Sequence, residues 1–369
     1  MSRTFVLVMA LLAGCGPLAS PGTDAGTGGG AASGGGAASG GGAGGGAATG
    51  GGGGGGTGGG AVTGGGGGTL APLTWSSMSL SGVTSFSDIV GLSGVSANLW
   101  ALQDSGHLLH STGGAFEVLF RFSGSGVDLL AQGNTIVAVL RRSIRWCTSG
   151  CTTEAAFTAL DLVPLGLDGE AVCGRDASTI AVVVSDTQYN AQLYEWNGNG
   201  FTKTNANLGV KEPRTCWYDS AGGLNVAGRD GVVRVEQGAA TPQDPGVGMN
   251  FTYFYGGAEL DGTSFIAGGN GKVARRTGTS GWTVEPTTRT TTLRAVGGLS
   301  PHEVFILGLY DSTLGNGYRW DGTMLRPVGD LLPSMGSSSL VRRIVVTGPN
   351  ELFVGGNNSA GPTILRGRR

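Results

Sequence analysis

Three arginines stand out by spacing. Arg214, Arg294 and Arg342 each lie two residues ahead of the matching apolar position in the fourth, sixth and seventh copies of a repeating segment. Planar guanidinium forks presented from equivalent strands can ring one opening and bind a carboxylate or sulfate bidentately. Trp217, Tyr218, Tyr253 and Tyr255 fall in comparable segments of repeats four and five, where ring faces could stack on a sugar or another flat ligand. The plainer alternative makes all seven strand-entry residues solvated at a rim. The histidines offer less: His107 and His110 are three apart on an expected strand, and a side-chain period of two sends them to opposite faces. His302-Glu303 sits in a turn and lacks the second histidine of a metalloprotease helix. No nucleophile elbow, phosphate loop or dinucleotide fingerprint occurs between a strand and a helix, and the Asp-Gly and Asn-Gly pairs lack the alternating carboxylates of a calcium loop. The expectation is therefore no catalytic set, no cofactor and no metal.

The N-terminus gives an address. Arg3 precedes the apolar run Phe5-Val6-Leu7-Val8-Met9-Ala10-Leu11-Leu12, too short to span a bilayer comfortably and ending in Leu12-Ala13-Gly14-Cys15. This ending resembles the lipobox of bacterial lipoproteins. The resemblance implies that residues 1–14 are a signal peptide and that mature protein begins at a diacylated Cys15, whose chains hold the bilayer with about 0.8 kcal/mol per buried methylene. Gly16 in place of aspartate favours the outer membrane, by resemblance to the sorting rule of enteric bacteria.

Four further cysteines are Cys147, Cys151, Cys173 and Cys216, and an even number in an exported chain argues for two disulfides. Cys147 and Cys151 enclose a short Thr-Ser-Gly turn and are paired on that ground, which leaves Cys173 with Cys216. A four-thiolate zinc site is the rival, but the close CxxC pairs it favours are missing.

The chain of 369 residues holds 75 glycines, many of them between Gly22 and Gly68, where hardly a side chain can bury apolar area. Such a stretch cannot offset an ordering entropy of about 1–2 kcal/mol per residue, so residues 15–69 are expected to be a disordered tether spanning about 40 Å. Charged residues are 13% and the net charge is −2, which leaves no field to gather polyanions and makes nucleic acid a poor partner.

From residue 70 to 369 one apolar strand recurs seven times, beginning at Leu99, Ile136, Ile180, Leu224, Phe265, Val304 and Leu352, with a mean step of about 42. Tight turns such as Asp104-Ser105-Gly106 and Asn270-Gly271 follow it, and helical periodicity of useful length is missing. The pattern, with Trp320-Asp321-Gly322 and the endings Ala227-Gly228 and Val354-Gly355, resembles kelch-like and sialidase-like repeats, above all those of glycine-tethered propeller lipoproteins of myxobacteria. It implies an all-β, seven-bladed β-propeller of four-stranded antiparallel blades. The last repeat runs out at Ile364-Leu365-Arg366, while the segment around Leu73-Thr74-Trp75 looks like a spare outer strand, so the two are expected to pair and close the ring. The three arginines are similar to the carboxylate clamp of sialidases, but that family's tyrosine nucleophile, its partner glutamate and its acid aspartate match no motif here. The functional expectation is a monomeric, non-enzymatic envelope module binding a protein or glycan; the alternatives are a hydrolase or lyase acting on an anionic polysaccharide, and a structural envelope protein.

Overall fold

The computed structural model describes residues 71–369 except 84–86, 205–207, 230, 249–251, 330–334 and 336–338. The expected signal peptide, Cys15 and the glycine-rich tether lie outside the described residues.

The domain is a seven-bladed β-propeller. The innermost strands of its blades are Ile89–Val95, Gly126–Gln132, Leu167–Asp176, Lys211–Tyr218, Phe254–Leu260, Leu293–Ser300 and Leu340–Gly348. They touch one another in cyclic order and the seventh meets the first, so they line a central channel. The second strands are Asn98–Gln103, Thr135–Leu140, Thr179–Asp186, Leu224–Arg229, Thr263–Gly268, Glu303–Asp311 and Glu351–Asn358, and each contains one of the seven repeats seen in the sequence.

Those second strands read as continuous apolar runs because each is sandwiched between the neighbouring blades. All six residues of Thr135–Leu140 are buried. Burying a side chain of that size contributes about 1.5–3 kcal/mol. Among the described residues the buried apolar side chains form seven clusters, one between each pair of successive blades. No blade makes a core alone, so the closed ring is what removes these surfaces from water.

Closure follows the expected route. Thr74–Ser77 runs antiparallel to Gly361–Arg368, the third strand of the last blade, with Trp75 opposite Gly367 and Ser77 opposite Leu365. The chain before the first blade therefore supplies the outermost strand of the seventh. Trp75 also meets Phe305 of blade six edge-on, with ring centroids 6.2 Å apart. Leu80–Ser81 then pairs in parallel with Phe116–Arg121, the outer strand of blade one, an addition not read from sequence.

Cysteine pairing runs Cys147 to Cys151 and Cys173 to Cys216. The second bond joins the innermost strands of blades three and four.

Candidate functional site

In every blade the innermost strand carries a β-bulge near its start. The pairing with the second strand slips between Ile89 and Gly91, Gly126 and Asp128, Gly169 and Ala171, Lys211 and Thr215, Phe254 and Gly256, Leu293 and Ala295, and Val341 and Arg343. A bulge leaves a residue unpaired and re-aims its side chain. Here the residues so placed are Val90, Val127, Glu170, Arg214, Tyr255, Arg294 and Arg342, one per blade. Together with Arg343 they line a single cavity of about 130 Å3 at one mouth of the channel.

The ring has two arcs. Val90 and Val127, from adjacent blades, make an apolar side. Glu170, Arg214, Tyr255, Arg294 and Arg342 follow in order as the polar side. One residue further along their strands, Arg343 of blade seven reaches past blade one to Asp128 of blade two, Nε to Oδ1 at 2.9 Å.

Charge is compensated unevenly. Arg214 pairs with Glu170 at 3.0 Å and with Glu212 at 3.4 Å, and Arg342 donates from Nε to Asp88 at 2.7 Å. Arg294 has no ion-pair partner among the described residues; its guanidinium instead lies 4.5 Å from the centre of the Tyr255 ring. Burial, and then the positive charges of Arg342 and Arg214, push the Arg294 guanidinium below its ordinary value. Glu170 accepts the Ser185 hydroxyl at 2.7 Å, and burial holds its carboxyl above the usual glutamate range in spite of Arg214. Three cations crowded in a partly dry mouth stabilise an incoming anion more than the same groups would in water.

Blade four departs from the others, with two extra residues in its bulge instead of one. Within it Glu212 has φ 44, a left-handed conformation costly for a residue with a Cβ. Its carboxylate answers the strain, bridging Arg214 and Arg229 and accepting the Tyr253 hydroxyl at 3.3 Å. Tyr253 stacks on Tyr255 with centroids 5.8 Å apart and planes 18° apart.

The structure thus brings together Arg214, Arg294, Arg342 and Tyr255, with Tyr253 behind them. It corrects the grouping of Trp217 and Tyr218 with these rings. Trp217 is 5% exposed and packs between blades four and five against Phe254 and Ile266, and its ring lies where a side chain on Gly257 would be. Tyr218 is packed against the core between blades three and four, and burial pushes its hydroxyl up to about 12. Trp217 has no ring face free to stack on a ligand, and Tyr218 is half-buried against a different blade interface and does not line the cavity. The histidines lie outside the ring: His107 bonds Ser105, His110 bonds Asn98 at 2.7 Å, and His302 is exposed in a turn.

Glu170, Val90, Val127 and Arg343 were missed in the sequence. The available signal was offset, not residue type. Six of the seven ring positions precede a small or short residue that re-enters the ladder, as in Val90-Gly91, Glu170-Ala171, Tyr255-Gly256 and Arg294-Ala295; the seventh, Arg342, precedes Arg343.

No family model matches the chain, and no curated protein sequence does. Solved structures do match. YCF48 bound to a D1 peptide aligns with a TM-score of 0.60, 15% identity, 80% of this chain and 97% of that one. A catalytically inactive virginiamycin B lyase from Staphylococcus aureus with quinupristin aligns with a TM-score of 0.59, 12% identity, 80% of this chain and 99% of that one. The WD40 β-propeller domain of Doa1 aligns with a TM-score of 0.58, 9% identity, 80% of this chain and 96% of that one. At such identities the likeness shows the fold alone.

Proposed function

We propose that the protein is an envelope lipoprotein whose propeller is a non-enzymatic binding module, taking an anionic group of a protein or glycan into the arginine-lined mouth. Acylation at Cys15 in the outer membrane, followed by the glycine-rich tether over residues 15–69, would give the module location and reach. The observation that supports the binding role is Arg294, a half-buried guanidinium beside two others, with an aromatic face and no carboxylate partner among the described residues. That a solved propeller neighbour holds a peptide makes a protein partner a natural choice.

The purified full chain is titrated with acidic oligosaccharides and acidic peptides. Saturable binding that is lost in Arg294→Ala supports the reading; silence across both panels overturns it. The hydrolase or lyase alternative has Glu170 as its acid/base candidate, since burial raises its carboxyl within the cavity. Product formation in the same incubations, abolished by Glu170→Gln, would replace the binding-only reading with that one. Labelled palmitate tests the anchor: incorporation is expected in the natural chain and not in Cys15→Ala, and label retained in that variant refutes the assignment.

A further inference from the structure

We propose that the group admitted at the mouth is a carboxylate carried on a short aliphatic substituent, the carboxylate taken by Arg294, whose neighbour Arg342 is held by Asp88, and the substituent lying on Val90 and Val127. This rests on the binding role argued above and specifies its ligand.

The argument is the order of residues around the ring. Arg294, Arg342, Val90 and Val127 come from blades six, seven, one and two, so they are consecutive, and all four line the same cavity. An anion drawn to the uncompensated guanidinium therefore has an apolar wall beside it. Arg343 also lines the cavity but is already paired with Asp128, so it offers little to a second anionic group. Arg214 is likewise held by Glu170 and Glu212, which repel a second carboxylate from that flank.

Competing chemistries fit less well. The hydroxyls of a hexuronate would face the two valines with no partner, and a buried unpaired hydroxyl is unfavourable. A dicarboxylate would set one of its charges against either the valines or Glu170. An aliphatic carboxylate leaves neither mismatch. Two sources supply this chemistry: a free short-chain acid, or the carboxyl end of a polypeptide with a small aliphatic last residue.

Calorimetry on the full chain at neutral pH compares acetate, isovalerate, N-acetylvaline and glucuronate. Each methylene buried against the valines is worth about fourfold in affinity, so isovalerate or N-acetylvaline is expected to bind at least about tenfold tighter than acetate. The tighter of these two identifies the source. Val127 is only half-buried, so Val127→Asn should fold and should narrow the ratio of isovalerate to acetate affinity. Glucuronate binding as tightly as isovalerate, or an unchanged preference in Val127→Asn, overturns the ligand class and leaves the binding role standing. Silence of all four probes and of the acidic panels defeats both.

Discussion

Arg342 in the last blade donates its Nε–H to Asp88, just ahead of the first blade, at 2.7 Å and across 254 residues of chain. The same carboxylate accepts from the Asn357 amide, and the Asp88 carbonyl accepts the Asp104 N–H at 3.0 Å. One residue thus fastens the ring at its seam and also neutralises one of the three arginines at the mouth. The outer side of the seam is held separately, by the strand Thr74–Ser77.

Replacing Asp88 should therefore act on both properties in opposite directions. Asp88→Asn keeps the shape but removes the charge, and the pair is partly solvated, so the expected loss is about 1–3 kcal/mol of stability. Freed of its counter-ion, Arg342 should bind acetate or sulfate more tightly. Denaturant midpoints and calorimetry on one preparation check this, and weaker anion binding would show that Arg342 needs Asp88 to hold it in place.

Arg294→Ala separates binding from stability. A charged hydrogen bond contributes about 1.5–3 kcal/mol, so anion affinity should fall by roughly ten- to a hundredfold. Thermal stability should stay level or rise, because the substitution removes a cation that burial and like charges already disfavour. Arg294→Lys should recover only part of the affinity, since the bidentate fork is lost. A large drop in melting temperature on removing the side chain would mark Arg294 as a structural prop.

Glu170 makes anion binding depend on pH. Its carboxyl is already raised by burial, and an anion on neighbouring Arg214 or Arg294 raises it further, so binding takes up a proton. Affinity for sulfate should thus climb as pH falls from neutrality, by up to about tenfold per pH unit, then level off below the value for Glu170 in the free protein. Glu170→Gln should flatten the profile. Asp104, raised by burial and then by Asp88, lies near Arg342, so Asp104→Asn is the companion control. A slope that survives Glu170→Gln and vanishes in Asp104→Asn would move the proton to Asp104.

The parts of the fold legible in sequence were those where one physical cause acts seven times. Strands such as Ile136-Val137-Ala138-Val139 are buried on both faces and so carry an unbroken apolar run, visible without any knowledge of their partners. Closure was legible because Leu73-Thr74-Trp75 had no blade of its own. The site was half legible. Arg214, Arg294 and Arg342 drew attention as arginines, whereas Val90, Val127 and Glu170 occupy equivalent bulges and passed unnoticed because their types suggest nothing. Bulges also break the alternation of faces, so counting outward from a ring residue does not place its neighbours.

The disulfide between Cys173 and Cys216 closes a loop of 43 residues and ties two blades, while that between Cys147 and Cys151 spans only four. Chain entropy alone makes the first worth about 4 kcal/mol and the second about 2. Alanine at both Cys173 and Cys216 should accordingly lower the guanidinium midpoint by clearly more than alanine at Cys147 and Cys151. Equal losses would mean that the blade interface holds its geometry without the cross-link.

Trp217 shows where reading by residue type goes astray, and it yields the sharpest test of packing. It stands three residues beyond Arg214, and the space for its ring is created some forty residues later by Gly257, where an added Cβ would come 2.3 Å from the indole. Gly257→Ala should therefore strain the interface between blades four and five by about 1–3 kcal/mol. Trp217→Ala should cost about 3–5 kcal/mol by leaving a cavity among Ala227, Phe254 and Ile266. Gly257→Ala combined with Trp217→Ala should lose less than the sum, because the strain disappears with the ring. Acetate affinity at the mouth, measured below the unfolding transition, should be unchanged in all three; a ligand that binds more weakly to Trp217→Ala alone would return the indole to the site.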